Sequence, residues 1–247
     1  KGDEVQQNKE DSMTYLKKAA DKGLIEAMHQ YGLILKDKDK ESNEYKESIH
    51  YIKNASDRGM IDSMYQYGIM VGSNSVENVS PKESIRIFRI AANNGNVNSM
   101  IAYAEMILRG FIGDVDYQEA VKYFKMAADK GDAEGLNAYA YMLSYSEGVE
   151  SNIDEAIKCY KMSIDKGSTT AMVNYGELLL KGDKVPIDVN QAIKLFKTAI
   201  DKGDSDAMVH YSVMLFKGKG VPVNKEEAIK YMKMAIDLGN SKAMVNL

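Results

Sequence analysis

Few side chains in this 247-residue sequence could do chemistry. His29, His50 and His210 are its histidines, Cys159 is its single cysteine, and Lys219 stands between Gly218 and Gly220. An imidazole can act as an acid–base group or a metal ligand. Yet no spacing of His, Cys, Asp and Glu suits a metal ion, and no acid, base and nucleophile form a catalytic constellation. A reactive thiol would need cationic neighbours. Cys159 instead occupies a place that Tyr51, Ile87, Tyr123, Leu195 and Tyr231 fill elsewhere in the chain, so it reads as packing. Gly218-Lys219-Gly220 has the composition of a phosphate loop, but no strand precedes it and no Gly-Lys-Ser/Thr follows, so it reads as loop geometry. Tyrosines could stack bases and methionines could line a promiscuous groove. Both recur in register, which favours a core. The expectation is a non-catalytic protein with no metal and no cofactor.

The elements that position these residues follow from one glycine. Gly23, Gly59, Gly95, Gly131, Gly167, Gly203 and Gly239 are spaced 36 residues apart, and a period of that size marks a solenoid. Counting from each glycine, position 8 is tyrosine throughout (Tyr31, Tyr67, Tyr103, Tyr139, Tyr175, Tyr211). Position 5 is Met or Leu, position 12 is aliphatic, and positions 4 and 9 are small. These positions trace one face of a helix, the first or A helix of each period. Position 21 is Ser80, Asp116, Asn152, Asp188 or Asn224, with Glu or Gln three residues on, which is a capping box opening a second or B helix. Pro81 suits the first helical position there. Period 1 has Glu44 instead, a poor cap. Helix B alternates small residues at positions 25 and 32 with a large one at position 29 and stops at the next glycine, which can adopt a left-handed C-cap.

The expected fold is thus all-α, a right-handed α-solenoid of 36-residue antiparallel helix pairs forming a single domain over residues 1–247. Residues 1–22 supply helix B of a partial repeat, and 23–58, 59–94, 95–130, 131–166, 167–202 and 203–238 are six full repeats. Residues 239–247 begin a truncated seventh, and both termini look cut.

A net charge of −4 argues against a general electrostatic grip on nucleic acid or on an anionic membrane. No apolar run approaches the ~18 residues of a membrane span, so direct membrane insertion is not expected. One cysteine permits no internal disulfide and favours a reducing, cytoplasmic setting, with the ER lumen or secretion left open by the cut-looking termini.

The order of small, large and aromatic positions resembles the Sel-one-like repeat family, a branch of the tetratricopeptide superfamily. The resemblance is carried by Ala171-Met172-Val173-Asn174-Tyr175-Gly176, by Gly218-Lys219-Gly220-Val221-Pro222 and by Ala228-Ile229-Lys230-Tyr231-Met232-Lys233-Met234-Ala235. It runs through the whole chain and departs in the first A-to-B loop, the charged run 37–41. It implies adaptors that scaffold complexes, with A helices lining a concave groove.

Recurring positions are constrained by packing, whereas varying positions on the same helix are free of that constraint. On helix A the varying ones are positions 6, 10, 13 and 14, expected to face the groove. They give the candidate partner-binding residues His29, Tyr65, Ile69, Ile101, Glu105, Arg109, Asn137, Tyr141, Tyr145, Val173, Glu177, Lys181, Val209, Val213 and Lys217. Exposed aromatic and apolar residues among charges mark a binding surface. The expected function is protein–protein binding of a peptide or partner helix along the groove. A spacer acting through its terminal repeats, or an array serving an enzyme domain outside this chain, are the alternatives.

Overall fold

The structure is a computed structural model. It describes the backbone of residues 2–111, 113–145 and 149–246, and side chains within 10–111, 113–145 and 149–245. Lys1 and Leu247, the expected ends of the array, lie outside the described residues. Fourteen helices and no strand occur among the described residues. Contacts group them into two compact units, 1–123 and 124–247, and the division falls within helix α7.

The first unit holds α1 (Gly2–Asp21), α2 (Ile25–Lys36), α3 (Asn43–Asp57), α4 (Ile61–Gly72), α5 (Glu83–Asn93), α6 (Val97–Leu108) and the start of α7 (Tyr117–Asp129). The second holds the rest of α7, then α8 (Ala133–Tyr145), α9 (Ile153–Asp165), α10 (Thr169–Lys181), α11 (Val189–Asp201), α12 (Ser205–Lys217), α13 (Lys225–Asp237) and α14 (Ser241–Asn246). Even-numbered helices are the A helices and odd-numbered ones the B helices of the 36-residue period.

Local chemistry sets the helix ends. Every repeat glycine has positive φ, from +74° at Gly131 to +95° at Gly95. At Gly167 the geometry is a Schellman cap: Gly167 N donates to Ile164 O (2.8 Å) and Ser168 N to Ser163 O (3.2 Å). The B-helix caps form as expected, for example Glu155 N to Asn152 Oδ1 (3.1 Å) and Gln191 N to Asp188 Oδ1 (2.9 Å). Two starts differ from expectation. In period 1, Ser42 rather than Glu44 caps, accepting from Tyr45 N at 3.1 Å. In period 2, Pro81 lies in a turn before α5, because Glu83 N and Ser84 N close short bonds to Ser80 O and Pro81 O.

All six position-8 tyrosines are buried, each under or beside a neighbouring helix. Position 9 is small because the large position-29 side chain presses on it: a Cβ added to Gly176 would lie 2.7 Å from the Phe196 ring. A recurring polar clamp joins successive periods. The Lys125 ammonium stands 5.6 Å from the centre of the Tyr139 ring, and the Tyr139 hydroxyl donates to the capping-box Glu155 at 3.3 Å. Lys17 stands over Tyr31 in the same way and bonds Glu47 at 2.6 Å. Tyr103 donates to Glu119 at 3.2 Å, with Arg89 3.9 Å from that carboxylate. Burial and the Glu119 charge push the Tyr103 phenol up to about 12. The clamp gives a second reason for the recurrent Glu at position 24, and a first for a cation at position 30.

Tyr160 is fully buried, stacked on Tyr175 with ring centres 5.9 Å apart, and its hydroxyl has no hydrogen-bond partner among the described residues. A buried unsatisfied hydroxyl costs stability. Tyr160→Phe is therefore expected to leave the urea-unfolding midpoint unchanged or to raise stability by up to ~1 kcal/mol. A clear fall in the midpoint would mean that the hydroxyl has a partner.

Cys159 is buried, and burial followed by the nearby Glu155 pushes its thiol up, which keeps it protonated and unreactive. No helix among the described residues is long and apolar enough to cross a membrane.

Candidate interaction cleft

The groove candidates separate by position. Position 6 was expected at the surface. Instead His29, Ile101, Asn137, Val173 and Val209 are buried, and Tyr65 is half-buried with its ring 6.0 Å from Phe88. The reason is that successive A helices pack through this position. His29 Nδ1 is 2.8 Å from Ser63 Oγ at position 4 of the next A helix, and Asn137 Oδ1 accepts from Asn174 Nδ2 at 2.9 Å. Position 6 varies because different pairs solve the same contact, so these residues are removed from the surface set.

Positions 10 and 14 do reach solvent. In the first unit Ile69 is exposed, and Glu105 and Arg109 face each other at 3.7 Å, so their charges offset one another. In the second unit Val213 is half-buried and Lys217 exposed, beside an apolar hollow that also includes Phe216 and Ile229.

Four candidates converge. Tyr141 and Tyr145 of α8 and Glu177 and Lys181 of α10 line one cleft of about 410 Å³, closed by Leu180, His210 of α12 and Lys219 of the loop after it. The two tyrosine rings are 5.0 Å apart, and Tyr141 is 45% exposed, which makes it the cleft's accessible aromatic. Lys181 lies over the Tyr145 ring at 5.2 Å and bonds Asp183 at 3.0 Å. Burial, then the Glu177 and Asp183 charges, raise the Tyr145 phenol, so it stays neutral. His210 stacks on Phe196, ring centres 5.5 Å apart, and its Nε2 donates to Glu177 Oε1 at 2.8 Å. The cleft offers an aromatic wall, an aliphatic floor and fixed charges, the chemistry of side-chain recognition. Among the described residues, no group of three His, Cys, Asp or Glu is placed to hold a metal.

His210, Leu180 and Lys219 were not among the candidates. His210 lies at position 7, which varies as much as position 6 (Gln30, Gln66, Ala102, Ala138, Asn174, His210), so the same argument applied there would have found it. Lys219 stands out in the sequence only as part of a glycine-rich loop.

The Glu177 carboxylate is held below the usual carboxylate range, chiefly by the hydrogen bond from His210 and against the opposing effect of burial. A depressed folded-state pKa contributes stability that is present above the unfolded carboxylate range and is lost as pH falls through the folded value. His210→Ala should therefore move the Glu177 titration midpoint upward, followed by NMR of its side-chain carboxyl carbon. An unmoved midpoint would show that the two side chains are not coupled.

Comparison with known proteins returns a family model described as Sel1 repeat, matching residues 1–24, 61–96, 97–132, 133–168, 169–204 and 205–240. The first matched segment is 24 residues long, and the other five are 36 residues long and begin two residues after Gly59, Gly95, Gly131, Gly167 and Gly203. The unmatched stretch, 25–60, contains the charged loop 37–41, yet it folds into α2 and α3 like every other pair. Among solved structures, the chain is similar to a protective antigen of uropathogenic Escherichia coli displaying an SLR fold (TM-score 0.73, 23% identity, covering 95% of this chain and 50% of that one). It thus spans half the length of that protein. It is also similar to a Sel1 repeat protein from Oxalobacter formigenes (TM-score 0.73, 25% identity, 87% and 88% coverage). An immunity protein from Pseudomonas aeruginosa shares the fold at 14% identity (TM-score 0.54, 89% and 83% coverage). No curated protein matches the sequence.

Proposed function

Because the chain belongs to the Sel1 repeat family, whose members are in general protein-interaction scaffolds, we propose that it is a non-catalytic adaptor that binds a peptide segment or a partner helix against its A helices. The observation that carries this reading is the contrast within α8. Tyr139, at a recurring position, is buried and clamped, whereas Tyr141, at a varying one, faces solvent beside Tyr145 and Lys181. A repeat protein keeps what it needs for packing and diversifies what it uses for recognition. Aromatic side chains at the edge of a cleft supply large contact area at little entropic cost.

The test is site-specific photocrosslinking in cells of the source organism. A photoreactive residue at position 181 should capture a discrete partner, and the same residue at position 158 of helix α9, exposed and away from the cleft, should not. Equal capture at both positions, or capture at 158 alone, overturns the assignment of the cleft.

A further inference from the structure

The turn between α5 and α6 holds the one Asn-Gly step in the sequence, Asn94-Gly95. In the other periods the residue before the repeat glycine is Lys22, Arg58, Lys130, Lys166, Lys202 or Leu238, so the step belongs to this junction alone. Its chemistry is intramolecular. The Gly95 nitrogen can attack the Asn94 side-chain carbonyl carbon, because glycine has no Cβ to crowd the approach. An N–Cγ bond forms, the Gly95 N–H proton passes to solvent base, and the Cγ–Nδ2 bond breaks with its nitrogen leaving as ammonia. Water then opens the cyclic imide at either carbonyl. The products are aspartate and its β-linked isomer, in which the main chain runs through Cγ and is one methylene longer. Solvent is the only co-reactant.

The fold opposes the first step. Asn94-Gly95 is the Schellman cap of α5: Gly95 N donates to Ala92 O at 2.9 Å and Asn96 N to Ala91 O at 3.0 Å, with Gly95 at φ +95°. Asn94 sits at φ −91° and ψ +11°, and its Nδ2 donates to Ile90 O at 2.8 Å. The imide is a five-membered ring. Closing it needs rotation about the Asn94 Cα–C bond until the Gly95 nitrogen eclipses Cβ, far from the observed ψ. That rotation swings the Gly95 N–H away from Ala92 O and breaks the cap. Asn94 is exposed, so water has access to the imide once the turn has opened.

The product does not fit the cap it came from. A methylene inserted between residues 94 and 95 displaces Asn96, whose Oδ1 accepts from Ser99 N at 2.8 Å to open α6 and whose Nδ2 donates to Asp62 at 3.0 Å. The end of one helix and the start of the next are therefore disturbed together. Aspartate at the same place sets a carboxylate on a helix C-terminus, where the backbone dipole disfavours it.

We infer that Asn94 is a site of spontaneous deamidation gated by its own helix cap. The reaction proceeds only while the α5–α6 turn is open, and it converts a transient opening into a permanent loss of that cap. When opening and closing are fast, the rate follows the population of the open turn. The site is independent of the interaction cleft.

The full chain, its Asn94→Lys variant and a synthetic peptide of residues 91–99 are aged side by side in mildly alkaline buffer, with and without urea. Amide-to-acid conversion is located by peptide mass spectrometry, and the β-linked product is labelled with an isoaspartyl methyltransferase. Asn94 should convert in the folded chain at least roughly tenfold more slowly than in the peptide, a protection of about 1.4 kcal/mol or more. Urea should bring the two rates together. A peptide-like rate in the folded chain overturns the gating. Conversion at other asparagines and not at Asn94 in the urea-unfolded chain overturns the site. The converted chain, separated by ion exchange, should unfold at lower urea than the fresh chain. Asn94→Lys carries the residue that four other periods have at this position, a cation suited to a helix C-terminus, and should keep its midpoint on ageing. An unchanged midpoint in the converted chain, or an equal fall in aged Asn94→Lys, overturns the loss of the cap through Asn94.

Discussion

Replacing Tyr139 with alanine is expected to destabilise the protein by roughly 3–5 kcal/mol, the range for truncating a large buried aromatic. The ring is 7% exposed, carries the Lys125 ammonium on its face and anchors Glu155 through its hydroxyl. Alanine removes the ring, leaves a cavity between helices and takes one partner each from Lys125, which keeps Asp129, and from Glu155, which keeps Asn152. The loss should appear as a fall of roughly 6 °C or more in the melting midpoint followed by circular dichroism, since each kcal/mol shifts a chain of this size by about 2–4 °C. Tyr139→Phe separates the contributions. It keeps the ring and loses only the 3.3 Å hydrogen bond to Glu155, so it should cost about 1 kcal/mol or less. A Tyr139→Ala melt within about a degree of the parent would mean that the recurring face is not the packed one.

That face was legible in the sequence because packing between like repeats imposes like residues. Six registers repeat the same tyrosine and keep small residues at the same positions, periods 3 to 6 open helix B with the same side-chain cap, and the structure buries or caps them accordingly. The reading failed where recurrence and burial part company. Position 6 carries five residue types in six periods yet is mostly buried, because an A helix can meet its neighbour through His29 and Ser63 in one period and through Asn137 and Asn174 in another. Variation therefore marks freedom from a fixed residue type and not freedom from contact. Lysine or arginine at position 30 shows the converse. It recurs while its charge stays in water, because its partner is the face of a tyrosine in the next period, reached only once the helices are stacked. Lys219 was illegible for another reason: the side chain is brought to the cleft by two left-handed glycines and by close contact of the loop with Val189, neither of which a pattern of residue types displays.

Tyr141→Ala should weaken the partner captured at position 181 by about 2 kcal/mol or more, close to thirtyfold in Kd, as truncating a central aromatic anchor does. Tyr141 lies two residues from Tyr139 on the same helix but on the other side of the packing boundary. At 45% exposure it supports its neighbour Tyr145 rather than the core, so its removal should change stability by no more than about 0.5 kcal/mol. The opposite signatures of two adjacent tyrosines are what make the pair informative. A general loosening of α8 would lower stability and binding together, whereas loss of a recognition side chain lowers binding alone. Tyr141→Phe should keep most of the affinity, because the ring face is the surface on offer. Affinity unchanged in Tyr141→Ala, for a partner that still crosslinks at position 181, would move the anchor to Tyr145 and Leu180. Those two form the deeper part of the same cleft, so Leu180→Ala should then carry the loss that Tyr141→Ala did not.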